Sequence, residues 1–134
     1  TKIQTLAAPG SEAGSKIVPQ EGTVTVIEFF STTCSTCASY MDTLRTVNRS
    51  TNAEFVSVTV ELVGVSVGQR TVVDWWREHG GEWTVGFEGQ LDLSTALGVS
   101  AVPFTAILDA SNRIVYTGGG KMSAEELKSQ IEAA

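Results

Sequence analysis

Between Val24 and Phe30 the chain is apolar, all Val, Ile or Phe, except at Thr25 and Glu28, and after Ser31-Thr32-Thr33 it reads Cys34-Ser35-Thr36-Cys37. An apolar run without alternation is the pattern of a strand buried on both faces of a parallel sheet. The residues that follow, from about Ser35 to Asn48, carry an apolar stripe at helical spacing, Tyr40, Met41, Leu44 and Val47. A buried strand therefore empties into a thiol pair at a helix N-terminus. Unpaired backbone N–H groups and the positive end of the helix dipole favour a charged sulfur there.

At 134 residues with 42% hydrophobic content, one compact domain with a sizeable core is expected. The net charge of −6 and the lack of a Lys/Arg cluster argue against nucleic acid or an anionic membrane surface as partner. No apolar run approaches bilayer-spanning length, and no basic segment precedes an apolar one at the start. The chain opens on Thr1, so a processed form with a targeting segment removed upstream is the expectation. Two cysteines do not define a scaffold of several disulfides, and their number does not reveal the compartment.

Residues 1–22, rich in Gly, Ala, Ser and Pro with apolar Ile3, Leu6, Ile17 and Val18, read as a loosely structured lead-in with room for a short hairpin. Residues 23–134 form the domain proper. A second strand is expected from Phe55 to Glu61, a helix from Thr71 to His79 closed by Gly80-Gly81, and a short strand near Trp83 to Phe87. Asp92 to Leu97 reads as a short helix stopped by Gly98, and Phe104 to Leu108 pairs with Ile114 to Tyr116 through the turn residues 109–112. Ser123-Ala124-Glu125-Glu126 has capping-box spacing before a last helix with Leu127 and Ile131 inward. Strands alternating with helices predict an α/β sandwich with parallel central strands and one antiparallel edge.

With Cys34 at the helix start and Cys37 one turn inside, Cys34 is the attacking nucleophile and Cys37 the resolving thiol. The alternatives are an inert surface disulfide or a structural zinc half-site, the latter disfavoured since zinc takes four ligands and His79 is the chain's one histidine beside its two cysteines. Glu28 is the acid in an otherwise apolar strand. Burial would raise its pKa and let it accept and return the Cys37 proton; the alternative is a carboxylate turned to solvent or paired with a cation at a strand edge. Pro103 opens a strand, where a proline is tolerated, although most X-Pro bonds are trans. His79 reads as a helix C-terminal cap, and Trp75, Trp76 and Trp83 as core or surface aromatics.

The order strand, Cys-x-x-Cys, helix, strand, helix, then Val102-Pro103 opening a hairpin with a terminal helix, resembles the thioredoxin superfamily from Val24 onward. The resemblance implies a thioredoxin-like three-layer sandwich: a central mixed sheet, parallel core strands and a C-terminal β-hairpin plus helix. The lead-in and an extra helix and strand at about residues 67–87 resemble the TlpA/ResA-like branch of thiol-disulfide oxidoreductases, whose members are typically tethered outside the cytoplasm and reduce specific client proteins. Carried over, it makes Cys34 the nucleophile, Cys37 the resolving thiol, Glu28 the buried acid and Pro103 a cis-proline facing the disulfide. Val102, with Ser35 and Thr36 beside the thiols, falls at the substrate. Gly118 to Gly120 fall near the substrate groove.

The chain departs from that pattern at Thr33, where tryptophan is usual, at Ser35-Thr36, where a proline is usual, and in the absence of a second-strand lysine to pair with Glu28. These departures bear on redox potential and so on the direction of transfer. The expected activity is dithiol-disulfide exchange with a protein substrate, as a monomer and more as reductant than oxidant, with a membrane or soluble thiol as electron donor and no metal or other cofactor. The expected location is extracytoplasmic and membrane-tethered in the full-length form, with the cytoplasm as alternative. Two rivals share the fold. A Cu(I) metallochaperone or assembly module would use both cysteines and a histidine; a peroxiredoxin-like peroxidase would need a proline before the threonine, which Val24 to Phe30 lacks.

Overall fold

A computed structural model describes residues 2–7, 14–19, 21–65, 67–88 and 92–134. Thr1, residues 8–13 and residue 20 of the lead-in lie outside that set, as do residues 66 and 89–91. The elements in chain order are β1 (Lys2–Ala7), β2 (Gly14–Ile17), β3 (Thr25–Phe30), α1 (Ser35–Ser50), β4 (Glu54–Thr59), α2 (Gln69–Glu78), β5 (Thr84–Phe87), α3 (Asp92–Leu97), β6 (Phe104–Leu108), β7 (Ile114–Gly119) and α4 (Ala124–Ala133).

These strands form one sheet in the order β2-β1-β5-β4-β3-β6-β7. β3, β4 and β5 run parallel, as their apolar character predicts, and β3 is buried along its whole length. β6 pairs antiparallel with β3, and β7 with β6. The expectation of one antiparallel edge needs correction: β1 also pairs antiparallel with β5 and with β2, so both edges are antiparallel. Ile3 and Val18 are buried on one face of the sheet and Leu6 on the other, which gives this hairpin an apolar reason to join it.

The sheet is the middle of three layers. On one face Val26, Phe30, Phe55 and Ile107 pack with Tyr40, Met41, Leu44 and Val47 of α1, with Val72 and Trp76 of α2, and with Leu127 and Ile131 of α4. On the other, Ile27, Phe29, Val56 and Val58 pack with Leu93 and Leu97 of α3. The predicted inward stripes of α1 and α4 are therefore the buried ones. Ser123 caps α4 by accepting the Glu126 N–H at 3.1 Å, and its own hydroxyl donates to the Glu126 carboxylate at 3.0 Å. α2 ends at His79, whose backbone N–H reaches the Trp75 carbonyl at 3.1 Å, and Gly80 follows in the left-handed region at φ 82°. Among the described residues no helix is long and apolar enough to cross a membrane.

Candidate active site

The site lies where β3 hands the chain to α1. Cys34 is the N-cap of α1, in extended conformation, and Cys37 stands one turn inside it. The two are joined as a disulfide with their Cα atoms 5.2 Å apart. Cys37 is fully buried in the α1-side core, whereas Cys34 is partly exposed. The Cys37 backbone N–H donates to Cys34 Sγ at 3.1 Å. The first turn of α1 holds no acidic residue to compete for the helix dipole, so its field acts on that sulfur. Ser35 and Thr36 are exposed at the helix start.

Facing the sulfur from across the fold is Val102, whose carbonyl oxygen lies 3.8 Å from Cys34 Sγ. The Val102–Pro103 peptide bond is cis, and Pro103 itself is buried. Of the three glycines after the hairpin, Gly118 and Gly119 belong to β7, opposite Thr105 and Phe104. Gly120 donates its N–H to the Pro103 carbonyl at 2.8 Å and adopts φ 84°, a conformation that suits glycine. Val102, Pro103, Cys34 and Gly120 thus come together from three separate parts of the chain.

On the side of the sheet into which Cys37 packs lies Glu28, 1% exposed. Because side chains alternate along a strand, Glu28 shares the α1-facing side of β3 with Val26 and Phe30, the cluster into which Cys37 also packs. It does not turn to solvent, and among the described residues no cation pairs with it. Its register partners are Ser57 on β4 and Thr105 on β6. The Ser57 hydroxyl donates to Glu28 Oε1 at 2.8 Å, and Trp83 Nε1 donates to Ser57 Oγ at 2.8 Å. Glu28 Oε2 is buried and has no hydrogen-bond partner among the described residues. Burial pushes the Glu28 carboxyl up to about 8, and the Ser57 hydrogen bond only partly offsets that. On the other flank Tyr40 Oη and Thr105 Oγ1 are 2.9 Å apart, and burial pushes the Tyr40 phenol up to about 12.

Ser57, Trp83 and Glu61 make site contacts to which no motif in the sequence points. Trp83, whose place in the chain suits a core or surface aromatic, is a buried donor in the Glu28 chain. Glu61, expected to end a strand, lies beyond β4, and its carboxylate accepts from Thr32 N–H at 3.0 Å, Thr32 Oγ1 at 2.7 Å and Thr59 Oγ1 at 2.9 Å. It thereby ties down the loop that leads into Cys34. That loop is also closed on itself, by the Thr33 N–H donating to Ser31 Oγ at 3.2 Å and the Cys34 N–H to the Ser31 carbonyl at 3.2 Å. The signal available in sequence was the Thr59-x-Glu61 spacing at a strand end, which says nothing about the distant Thr32.

His79 does what a helix-end histidine was expected to do: its Nδ1 lies 2.6 Å from the Trp75 carbonyl oxygen, and its ring packs on Trp75. Trp75 in turn stacks on Phe30 with ring centroids 5.0 Å apart. Among the described residues no group of three or more His, Cys, Asp or Glu side chains is gathered as a metal ion would require, so no assembled set joins His79 to the cysteines for Cu(I).

A disulfide of Cys-x-x-Cys spacing at a helix N-terminus, at the end of a parallel core strand, makes this a thioredoxin-like thiol-disulfide oxidoreductase. The chain belongs to the Redoxin family, whose model matches residues 2–134. Among solved structures it is similar to StoA from Bacillus subtilis, with 20% identity and a TM-score of 0.76 over 97% of this chain and 96% of that one. It is similar also to MTB DsbF, at 18% identity and a TM-score of 0.81 over 99% and 93%. A secreted Mycobacterium tuberculosis disulfide oxidoreductase homologous to E. coli DsbE matches at 15% identity and a TM-score of 0.80 over 100% and 96%. At these identities the likeness is one of fold. No curated protein matches the sequence.

Proposed function

We propose that the protein reduces disulfides of protein clients outside the cytoplasm, with Cys34 as nucleophile, Cys37 as resolving thiol and Glu28 as proton carrier. The observation that carries this reading is the asymmetry of the pair: one sulfur partly exposed at a helix N-terminus, the other fully buried on the side of the sheet that also buries Glu28. The Cys34 thiolate attacks one client sulfur, the other client sulfur leaves as thiolate, and a mixed disulfide forms. Cys37 passes its proton to Glu28 and attacks Cys34 Sγ; the remaining client sulfur departs with the bonding pair. The client has gained two electrons and the Cys34–Cys37 disulfide is left, to be reopened by a membrane or soluble thiol donor. Val102, Pro103, Ser35 and Thr36 would flank the client at this surface, and the protein would act as a monomer.

Reduction is favoured over oxidation because strong oxidants of this class depend on a heavily stabilised nucleophile thiolate. Here the donor to Cys34 Sγ among the described residues is one backbone N–H. The secreted mycobacterial protein and an exposed lipoprotein thioredoxin from Streptococcus pneumoniae support an extracytoplasmic setting, with a membrane tether in the full-length form. Fractionating cells that make the full-length protein tests that setting, and recovery in the cytoplasm would overturn it.

Chemistry is tested with a client disulfide such as insulin. Cys34→Ser should abolish turnover, and Cys37→Ser should trap a mixed disulfide that survives non-reducing electrophoresis; full turnover by Cys37→Ser would reverse the assigned roles. Equilibration with glutathione should give a potential nearer the thioredoxin value of about −270 mV than the strongly oxidising value of about −120 mV. A result at the oxidising end would make the protein a donor of disulfides.

A further inference from the structure

Two buried groups beside Glu28 have a directional relation that decides where its proton sits. An indole N–H can only donate, so Trp83 fixes Ser57 Oγ as its acceptor at 2.8 Å. The one hydrogen of the Ser57 hydroxyl then has Glu28 Oε1, at 2.8 Å, as its acceptor among the described residues. We infer that Trp83 and Ser57 are positioning residues that hold Glu28 Oε1 as a permanent acceptor and so confine the exchanging proton to Oε2, the oxygen left without a partner. The inference rests on the proton-carrier role proposed above for Glu28.

Each link is needed. Were Trp83 not a donor, the Ser57 hydroxyl could rotate and accept a proton from Oε1, and neutral Glu28 would lock its own proton into the sheet. With the chain polarised Trp83 to Ser57 to Oε1, the acid can only carry its proton on Oε2. Both donors lie on neighbouring parallel strands or at their ends: Ser57 opposite Glu28 on β4, and Trp83 just before β5. All three residues are nearly inaccessible, at 1%, 0% and 3% exposure for Glu28, Ser57 and Trp83, so solvent does not scramble the polarity.

Of the helices packed on this face, α2 keeps its ionisable Arg70, Asp74, Arg77 and Glu78 exposed, and α4 its Glu125, Glu126, Lys128 and Glu132, so the titratable groups turned inward come from α1 and β7. Cys37 packs into the same cluster, Tyr40 interacts electrostatically with Glu28, and Tyr116 of β7 acts on Tyr40. The neighbouring strand positions on β4 and β6 are Ser57 and Thr105, neither charged. Tyr40 is a poor proton acceptor, because burial keeps its phenol neutral until about 12. The Cys37 thiol, buried in the cluster on the same side of the sheet, is the group with which Oε2 would exchange its proton.

The test uses the whole protein, reduced and mixed with a chromogenic aromatic disulfide that releases one coloured thiol on attack by Cys34 and a second on resolution by Cys37. Ser57→Ala should leave the first release unchanged, slow the second roughly three- to ten-fold at neutral pH, and move its pH midpoint upward by about one unit, the worth of one hydrogen bond to a charged acceptor. Trp83→Phe should shift the midpoint the same way by less, and Ser57→Thr, which keeps a hydroxyl, should restore it. The carbonyl stretch of the protonated acid, assigned by its loss in Glu28→Gln, should change frequency in both variants. Neither substitution should add to Glu28→Gln. If Glu28→Gln alters the second release but Ser57→Ala and Trp83→Phe match the wild type, the positioning inference fails alone. Equal slowing of both releases at every pH would also reject it, as a purely structural effect. If Glu28→Gln itself changes nothing, the proton-carrier reading fails first.

Discussion

Toward α3, strands β3, β4 and β6 present Ile27, Phe29, Val56, Val58, Phe104 and Ala106, whereas toward α1 the same strands set Glu28, Ser57 and Thr105 side by side. The first arrangement satisfies the hydrophobic effect without any polar group to compensate. The second places an acid in low dielectric with one oxygen bonded and the other bare, which costs stability. Both sides of the sheet carry apolar core, but only the α1 side also buries an acid within it. The disulfide belongs to the side that holds Glu28, since Cys37 packs into the apolar cluster there.

Substitutions can break this contrast. The largest thermodynamic effect should come from the apolar face: Phe29, fully buried and edge-on to Phe104 with ring centroids 6.2 Å apart, should lose ~3–5 kcal/mol as Phe29→Ala. Urea unfolding would measure it, and the pH dependence of thiol release should not move. A shifted pH profile would mean that the two faces are coupled.

Glu28→Gln should have the opposite sign. The folded-state value of about 8 lies above the ordinary 4.5, so between those values the folded protein binds more protons than the unfolded one and stability falls as pH rises. The contribution of the neutral acid is complete below about pH 4.5 and gone above about 8. A glutamine does not titrate, so Glu28→Gln should be close to wild type at pH 5 and more stable by roughly 2–4 kcal/mol at pH 9. Denaturant melts across that range check it; equal stability at both pH values would mean that the carboxylate is not paying for its burial.

The smallest expected effect is at the rim, where the contrast gives way to a hydrogen-bonded loop. Glu61→Ala removes three acceptor contacts to Thr32 and Thr59 and should slow the first attack by Cys34 about three- to ten-fold, in keeping with ~1 kcal/mol of lost positioning. Resolution by Cys37 should be untouched, since Glu28 stays in place. Rapid-mixing measurements of the two releases separate these outcomes.

Much of this was legible because it is local. The β3 run, the helix stripe from Tyr40 to Val47 and the Ser123 cap each depend on residues within a few turns of one another, and each appears where periodicity and capping chemistry put it. Glu28 was conspicuous for the same reason, an acid among β-branched and aromatic neighbours. Its partners were not. Ser57 is an unremarkable residue in an apolar run, and Trp83 one of three tryptophans; register between β3 and β4, and the placement of the residue before β5, turn them into a donor chain. The N-terminal hairpin was half legible, since its apolar residues indicated pairing, but alternation within a strand does not say which edge of a sheet it will join.

That a reactive thiol pair stands at a helix N-terminus after a buried strand follows from the chain alone, because adjacency along it and the pattern of side chains suffice for that. What surrounds it comes from packing and strand register: Val102 3.8 Å from Cys34, Glu61 on the entry loop, and the polarised path from Trp83 through Ser57 to one oxygen of Glu28. Those contacts join residues far apart in the chain, and hydrogen bonds act over distances that only a fixed strand register and a packed core can set.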